Sequence, residues 1–426
     1  MFLHLGPHLA RHVHHAGHFW DTTLAVTRTV IGLYPDPMTY DFDTLIERAG
    51  SNSLKWDVRD GELPMWVADM DFLVAPVIRQ AVLEKASSGI FGYGIVPPGF
   101  ARAVHAWWEG RYGFDIAPDW VQFCHGIVPA VSSLIRTLAE PGEGVVIQSP
   151  VYNCFYYSIE KSSRTALINN LPYDNGQYGI DWDDLEEKLS DPRARVFLLC
   201  NPQNPTGQVW SPEELARMGE MAAAHQVTVI SDEIHCDITE PGLAYTPFAS
   251  VNQTCASTSI TLVSPTKSFN IPGLQTSVAI VPDPALRKLT AASLSRDELT
   301  GPNSFAVEAL IAAYTQGGDW LDAMRDYVWQ NKALLSDFIG KHLPELHVIP
   351  GESTYLSWVD CSGLTEDATA FCTFLRQQTG LYVNPGELYG DNAKAFFRIN
   401  LACPSSRVED ALERLSRGVA AWKDRD

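Results

Sequence analysis

The amino-acid sequence predicts an α/β protein whose large domain is built on a mainly parallel sheet flanked by helices. Apolar runs of strand length alternate with helical patterns through the middle of the chain. Three of these runs, residues 196–200, 227–230 and 260–263, end directly in polar turns. Strands that alternate with helices form a parallel sheet covered on both faces, and ligands bind beyond the carboxyl ends of its strands.

The composition restricts the class of protein. The chain has 426 residues, of which 46% are hydrophobic, so it can bury a sizeable core and form two or three structural units. Its 31 basic and 51 acidic residues give a net charge of −20, which disfavours nucleic acid and anionic membranes as partners. The eight cysteines show no C-x-x-C pair and no metal-ligand spacing. We therefore expect no metal site, and reduced, mostly buried thiols in a cytoplasmic protein.

The first 38 residues differ from the rest of the chain. They contain half of the 12 histidines and no acidic residue before Asp21. A metal-binding tract is one interpretation, and a disordered extension or a start codon chosen too far upstream is the other. The segment lacks the sustained apolar core of a secretory signal, and no stretch of the chain reaches the apolar length of a membrane span. We place residues 1–38 outside the core of the protein.

Glycine-rich segments mark the first part of the large domain, which we place at residues 81–310. Residues 89–99 are punctuated by glycine and proline and are too irregular for a helix. Gly126 precedes an apolar helical pattern, and a glycine turn that opens a helix presents free amides and a positive dipole end to a phosphate. A plain helix start is the alternative. Beside the other motifs, we expect the amides of Ile127 and Val128 to bind phosphate.

Helix signals continue the alternation. Residues 181–189 predict a surface helix. Ser211, Pro212 and Glu214 have the pattern of an N-cap, a proline in the first turn and a capping box, and this helix leads into the strand before Asp232.

A long helical pattern over residues 303–343 leads into a smaller α/β C-terminal domain at residues 311–426. That domain is predicted to contain strands at residues 346–350, 354–360 and 395–401, and helices at residues 366–378 and 406–422.

The three polar turns carry the candidate chemistry. They bring Asn204, Asp232 and Lys267 to the ends of successive strands, where an amide, a carboxylate and an amine converge. A single lysine after a strand is usually a solvated loop charge. Beside Asn204 and Asp232, Lys267 has the position expected of a lysine whose pKa is lowered and which forms a Schiff base with an aldehyde. Pyridoxal phosphate (PLP) is the commonest such aldehyde. A carboxylate beside the pyridine nitrogen and an amide on the ring oxygen complete what that cofactor requires.

These motifs also carry a family resemblance. Asn-Pro-Thr-Gly at residues 204–207, Ser-Asp-Glu-Ile-His at 231–235 and Ser-Pro-Thr-Lys at 264–267 together resemble the PLP-dependent fold-type I, class I/II aminotransferase superfamily. The resemblance runs from about residue 39 to the C-terminus. It implies the PLP-dependent transferase fold of type I, PLP as cofactor, a homodimer, and an amino acid as substrate. It also assigns residues 39–80 to the small domain and the substrate entrance.

Three further motifs are similar to one branch of that superfamily. They are Leu-Pro-Met-Trp-Val-Ala-Asp-Met-Asp-Phe at residues 63–72, Ile-Phe-Gly-Tyr at 90–93 and Phe-Arg-Ile-Asn at 397–400. They resemble the MalY/PatB-like cystathionine β-lyases, which are carbon–sulfur lyases. The resemblance implies α,β-elimination of L-cystathionine or related cysteine S-conjugates to a thiol, pyruvate and ammonia, within methionine biosynthesis. Aminotransferase activity is the alternative, and a regulatory binding role is possible as a second function.

The resemblance implies a role for each candidate residue. Lys267 would hold PLP and act as the base, Asp232 would keep the pyridine nitrogen protonated, and Tyr152 would lie flat against the ring. Arg398, an arginine inside an apolar strand, would bind the substrate carboxylate, with an internal salt bridge as the alternative. Further contacts to cofactor or substrate are expected from Asn204, His235, Ile127, Val128, Ser264 and, across the dimer interface, Tyr93.

Two positions depart from typical aminotransferases. Gln275 stands eight residues after Lys267, where many aminotransferases place a phosphate-binding arginine. His235 stands three residues after Asp232, where aspartate-type enzymes often have a tyrosine. Both departures favour the lyase branch, and the first leaves the phosphate to Ser264, the amides near Ile127 and Tyr93.

Overall fold

The computed structural model describes residues 40–425 of the chain. The predicted N-terminal extension, residues 1–38, lies outside the described residues, as does its histidine tract. The described residues form 15 strands and 13 α-helices.

The strands, in chain order, are β1 (Leu63–Pro64), β2 (Val121–Cys124), β3 (Gly144–Ser149), β4 (Thr165–Asn170), β5 (Tyr173–Asp174), β6 (Gln177–Tyr178), β7 (Ala194–Cys200), β8 (Thr228–Asp232), β9 (Ser259–Val263), β10 (Ser277–Ile280), β11 (His347–Val348), β12 (Leu356–Asp360), β13 (Leu381–Tyr382), β14 (Asn384–Pro385) and β15 (Phe396–Asn400). The α-helices are α1 (Pro76–Ser87), α2 (Pro98–Tyr112), α3 (Ile127–Leu138), α4 (Asn153–Lys161), α5 (Trp182–Ser190), α6 (Pro212–Ala224), α7 (Gln253–Thr258), α8 (Pro265–Ser268), α9 (Pro284–Arg296), α10 (Ala306–Gln316), α11 (Gly318–His342), α12 (Ala368–Thr379) and α13 (Ser405–Lys423).

A seven-stranded sheet forms the centre of the fold, in the order β2-β10-β9-β8-β7-β3-β4. The pairs from β9 to β4 are all parallel, whereas β10 is antiparallel to both β9 and β2. The mainly parallel sheet predicted from the sequence is therefore confirmed. Strands β3 and β9 are buried along their whole length, because helices cover both faces of the sheet.

The strand register brings the polar turns together. Cys200 at the end of β7 is paired with Asp232 at the end of β8, and Asp232 is paired with Leu262 in β9. Because these parallel strands end at the same level, the turns that follow them open onto one edge of the sheet.

A second, antiparallel sheet has the order β11-β12-β15-β14 and holds Arg398 in its buried strand β15. Helices α12 and α13 pack with this sheet in one hydrophobic cluster that includes Phe371, Leu412 and Trp422. The predicted strands and helices of this region are all present. The predicted domain boundaries at residues 80 and 310 stay predictions.

The capping box predicted for α6 is confirmed. The Ser211 side chain accepts from the Glu214 amide, and the Glu214 side chain accepts from the Ser211 amide. The long helix predicted over residues 303–343 is instead two helices, α10 and α11, which meet at Gly317. A Cβ at Gly317 would lie 2.5 Å from both the Phe269 ring and the Ala313 carbonyl oxygen, so the close approach of Phe269 requires glycine here.

All eight cysteines are free thiols, and all but the half-buried Cys154 are buried, as predicted. Within residues 40–425, no helix has both the length and the apolar character needed to cross a membrane. The same residues contain no group of three or more His, Cys, Asp or Glu side chains placed to hold a metal ion.

A buried ion-pair cluster fixes the segment that follows β1. Asp71, only 2% exposed, contacts Lys55 at 3.1 Å, Arg48 at 2.8 Å and Arg407 of α13 at 2.9 Å. Although burial alone would raise the pKa of Asp71, Lys55, Trp56 and Arg407 hold that pKa below its usual range. The cluster therefore ties residues 48–71 to the C-terminal helix.

Replacing Asp71 by asparagine should destabilise the fold strongly. The substitution leaves the buried Lys55 and the two arginines short of a counter-charge, which costs about 3–5 kcal/mol of unfolding free energy. Urea unfolding measures the change. Asp337→Asn, which breaks an exposed pair with Lys341, is the control and should cost less than about 1 kcal/mol. Equal unfolding midpoints for the two variants would contradict the assigned role of Asp71.

Candidate active site

A cavity of about 250 Å³ lies beyond the carboxyl ends of β7, β8 and β9. Its wall includes Asn204, Asp232 and Lys267, so the structure brings the three groups of the polar turns together. Five other predicted or noted positions line the same cavity: Ile127, Val128, Tyr152, His235 and Gln275.

Lys267 lies in the short helix α8, which begins immediately after β9. Its amine donates a hydrogen bond of 2.6 Å to the carbonyl of Ala68. Burial and the nearby Arg398 guanidinium lower the pKa of Lys267 to about 8, against the opposing effect of Asp69 and Asp232. A minority of this amine, on the order of a tenth at pH 7, is therefore neutral and can act as a nucleophile or base.

Asp232 ends β8 and is 4% exposed. Burial raises its pKa to about 7, while the Ile234 amide, which donates to Oδ1 at 3.1 Å, and Lys267 oppose that rise. A cation placed against this carboxylate would lower its pKa again, because an opposite charge favours the ionised form. The site therefore favours a ligand group that carries a positive charge next to Asp232.

The N-terminus of α3 also lines the cavity. Helix α3 begins at Ile127, and Gly126 before it gives no side-chain cap. The first amides of a helix have no intrahelical acceptor, and Pro129 at the third position has no N–H. The amides of Ile127 and Val128 are thus available to an anion at the positive end of the helix dipole.

Tyr152 and His235 supply aromatic walls. Tyr152 immediately precedes α4, and burial is the main cause that raises the pKa of its hydroxyl. His235 packs edge-on against Tyr355, with ring centroids 6.2 Å apart. Burial, Lys267 and Arg398 lower the pKa of His235 well below its ordinary value, so the imidazole is neutral. Its Nδ1 is buried and has no hydrogen-bond partner among the described residues.

Arg398 is 4% exposed and lies behind Asn204 rather than in the cavity wall. Its Nη1 donates to Asn204 Oδ1 at 3.0 Å, its Nη2 donates to the Trp66 carbonyl at 3.1 Å, and its guanidinium lies 4.8 Å from the Tyr389 ring centre. The predicted alternative, an internal salt bridge, is absent from the described residues. Because Nε also lacks a partner there, this buried cation still has donors for a carboxylate.

Besides Arg398, two further predicted site residues do not line the cavity. Ser264 is buried, and its hydroxyl donates to the Thr276 carbonyl at 2.6 Å and accepts from the Thr266 amide at 3.1 Å. The serine caps α8, while Thr266 and Ser277 face the cavity. Tyr93 is fully exposed, in the irregular segment before α2.

Two groups that are linked by hydrogen bonds to the Lys267 amine were not predicted from the sequence. The Ala68 carbonyl accepts from the lysine, and the Tyr355 hydroxyl donates to the same carbonyl at 2.9 Å. Ala68 lies in the motif at residues 63–72, and Tyr355 lies in the strand predicted at residues 354–360. Neither was predicted to contact Lys267 or its acceptor. The one available signal was the motif at residues 63–72, for which sequence reasoning gave no role beyond the substrate entrance.

The donor set fits the PLP that the family resemblance implies. An amine of lowered pKa suits an aldehyde, a buried carboxylate that forms no ion pair with the described residues suits a pyridinium nitrogen, and amides at a helix start suit a phosphate. Asn204 and Tyr152 line the same cavity. The arrangement defines the class of protein as a PLP-type α/β enzyme.

Comparison with known proteins identifies the family. Residues 63–415 match the model for aminotransferase class I and II, and the chain belongs to this family. Cystathionine beta-lyase PatB of Bacillus subtilis is 40% identical over 387 residues, covering 89% of this chain and 100% of PatB. Protein MalY of Escherichia coli is 35% identical over 390 residues, covering 90% of this chain and 99% of MalY.

Solved structures agree with the sequence relatives. Cystalysin from Treponema denticola, which contains a pyridoxal 5'-phosphate cofactor, matches with a TM-score of 0.87 and 33% identity, over 90% of this chain and 100% of cystalysin. The PLP-bound C-S lyase from Staphylococcus hominis matches with a TM-score of 0.83 and 32% identity, over 90% of this chain and 98% of the lyase. The predicted fold type is confirmed.

Proposed function

We propose that this protein is a PLP-dependent carbon–sulfur β-lyase that cleaves L-cystathionine or related cysteine S-conjugates. The observation that carries the proposal is the buried amine of Lys267, which shares one cavity with the unpaired carboxylate of Asp232 and the free amides of α3. The relatives support the choice of reaction, since PatB is named a cystathionine beta-lyase at 40% identity.

The residues of the chain would hold the cofactor at three points. Lys267 would bond to its aldehyde, Asp232 would pair with its pyridine nitrogen, and the amides of Ile127 and Val128 would bind its phosphate. Tyr152 and Asn204 would contact the ring. When bound, PLP supplies a protonated ring that takes up electrons from the α-carbon of an amino acid.

Arg398 would position the substrate through its carboxylate, using the donors that Asn204 and Trp66 leave free. Lys267, once released as an amine, would accept the α-proton, which its pKa of about 8 allows near neutral pH. Loss of that proton and of the β-thiolate forms a carbon–carbon double bond. Hydrolysis of the released enamine yields pyruvate and ammonia, so cystathionine and water give homocysteine, pyruvate and ammonia.

The reaction class can be tested without a second substrate. The purified protein with PLP and L-cystathionine, in the absence of any keto acid, should release pyruvate and free thiol in equal amounts over many turnovers, because elimination regenerates the enzyme. Lys267→Ala should be folded by circular dichroism and inactive. A single conversion of the cofactor to its pyridoxamine form that then stops would instead identify an aminotransferase.

The proposed enzyme is also a homodimer. Ile90, Phe91 and Ile95 are 74%, 57% and 81% exposed, and Tyr93 lies among them, so the segment presents an apolar patch of the kind that marks an interface. Lys267 is the only lysine or arginine among the described residues in the cavity wall, so a cofactor phosphate bound to the amides of Ile127 and Val128 would gain from a further donor. Tyr93 of a second copy would supply one.

Disrupting this patch should produce monomers. Ile95→Asp places a charge in the proposed interface, and we expect sedimentation to give a dimer for the unmodified chain and a monomer for the variant. Leu45→Asp, which changes a side chain that is 58% exposed elsewhere, is the matched control and should stay dimeric. A monomeric unmodified chain would rule out the proposed role of Tyr93.

The free thiols are consistent with a reducing compartment, and we propose that the protein works in the cytoplasm. Homocysteine as the product would place the reaction in methionine biosynthesis.

A further inference from the structure

Two motifs that the proposed chemistry leaves unexplained are bonded to each other. Asn400 of β15 donates from Nδ2 to the carbonyls of Val67 and Asp69, each at 2.6 Å. The Asn400 amide donates to the Met65 carbonyl at 2.9 Å. The carbonyls of Met65, Val67 and Asp69, which flank Ala68 in the chain, therefore all accept from one asparagine. Asn400 is buried, at 1% exposed.

The same segment is also joined to the loop that carries Lys267. Asn270, three residues after the lysine, accepts from the Met70 amide at 2.9 Å and donates to the carbonyls of Met70 and Phe72 at 3.0 Å. Lys267 and the segment around Ala68 are thus fixed relative to each other by contacts at both ends.

This segment presents one carbonyl, that of Ala68, to the reactive amine. Lys267 donates to it at 2.6 Å and Tyr355, which is fully buried, donates at 2.9 Å. A carbonyl oxygen has two lone pairs, so these two donors satisfy it. Tyr355 therefore occupies one lone pair of the Ala68 oxygen, and Lys267 occupies the other.

We propose that the Ala68 carbonyl is the acceptor that holds the Lys267 amine whenever the lysine is not bonded to the cofactor, that Asn400 is a positioning residue for this carbonyl, and that Tyr355 is a second donor that competes for its oxygen. The inference rests on the proposed attachment of PLP to Lys267. It assigns the same role to the motifs at residues 63–72 and 397–400: together they place the backbone oxygen of Ala68 beside the lysine.

A fixed acceptor matters because a lysine side chain is flexible and loses rotamer entropy when it is ordered. A neutral amine that donates one N–H to a fixed oxygen keeps its lone pair in a defined direction. Misplacing a reacting group by about 1 Å can reduce a rate on the order of 10²-fold. The carbonyl therefore prepares the amine for the transfer of a proton.

The same contact affects the basicity of the lysine. Burial and Arg398 lower the pKa of Lys267, whereas Asp69, Asp232 and Cys154 raise it. The other titratable side chains of the cavity wall are those of His125, Tyr152, Cys200 and His235, and the Tyr355 hydroxyl meets the Ala68 carbonyl. A carbonyl acceptor stabilises the ammonium form more than the amine, so a well-placed Ala68 oxygen also raises the pKa.

Two substitutions should move this pKa in opposite directions. Asn400→Ala frees the segment and weakens the contact, so the pKa of Lys267 should fall by about half a pKa unit and kcat should fall about 10- to 100-fold, with a smaller change in KM. Tyr355→Phe removes the competing donor, so the carbonyl accepts more strongly from the lysine and the pKa should rise by a similar amount. Competitive acetylation of the full chain freed of cofactor, followed by mass spectrometry across pH, measures the amine directly.

Asn331→Ala is the matched control. Asn331 is equally buried and also donates from Nδ2 to two carbonyls, those of Leu401 at 3.0 Å and Cys403 at 2.8 Å, but it makes no hydrogen bond to residues 66–71. It should leave the pKa of Lys267 unchanged. If Asn400→Ala fails to fold, the pKa of Lys267 in the conservative Tyr355→Phe variant tests the inference.

An unchanged pKa of Lys267 in Tyr355→Phe, or a shift in the same direction in both variants, would overturn the inference. The labelling does not depend on which reaction the enzyme catalyses. A protein that proved to be an aminotransferase would still show the two shifts, so failure of the proposed function and failure of this inference are distinguishable.

Discussion

The burial of one amine at the edge of a parallel sheet is the constraint on which the rest of the site depends. Lys267 lies where desolvation penalises its charge, and the surrounding groups offset part of that penalty. Its only hydrogen-bond acceptor among the described residues is a backbone carbonyl, that of Ala68. An uncharged acceptor holds the amine without forcing it to remain an ammonium ion, which suits a group that must gain and lose a proton.

The central sheet and the second sheet contribute different parts of the site. The level ends of β7, β8 and β9 place Asn204, Asp232 and Lys267 at one edge. Strand β15 of the second sheet contributes Arg398, whose guanidinium donates a hydrogen bond to Asn204 in the cavity wall. The segment at residues 65–71 lies between the two, held by Asn400 on one side and by the Asp71 ion-pair cluster on the other.

Much of this could be predicted from the sequence because the signals are local. Apolar runs that end at Cys200, Ile230 and Val263 predicted β7, β8 and β9, of which β8 continues to Asp232. The capping box at Ser211 followed from three side chains within one turn. The missed features depend on contacts between distant residues. Gly317 separates two helices because the Phe269 ring approaches it, and Tyr355 meets a carbonyl 287 residues away in the chain. The motif at residues 264–267 likewise could not show that the Ser264 hydroxyl caps α8 and bonds to Thr276.

The attachment of the cofactor to Lys267 is the central claim. Borohydride reduction of the purified protein, followed by proteolysis and mass spectrometry, would convert a Schiff base to a stable secondary amine and locate it. The account predicts one pyridoxyl group, on the peptide that contains Lys267. A pyridoxyl group on another lysine, or none on protein that has been saturated with PLP, would contradict it.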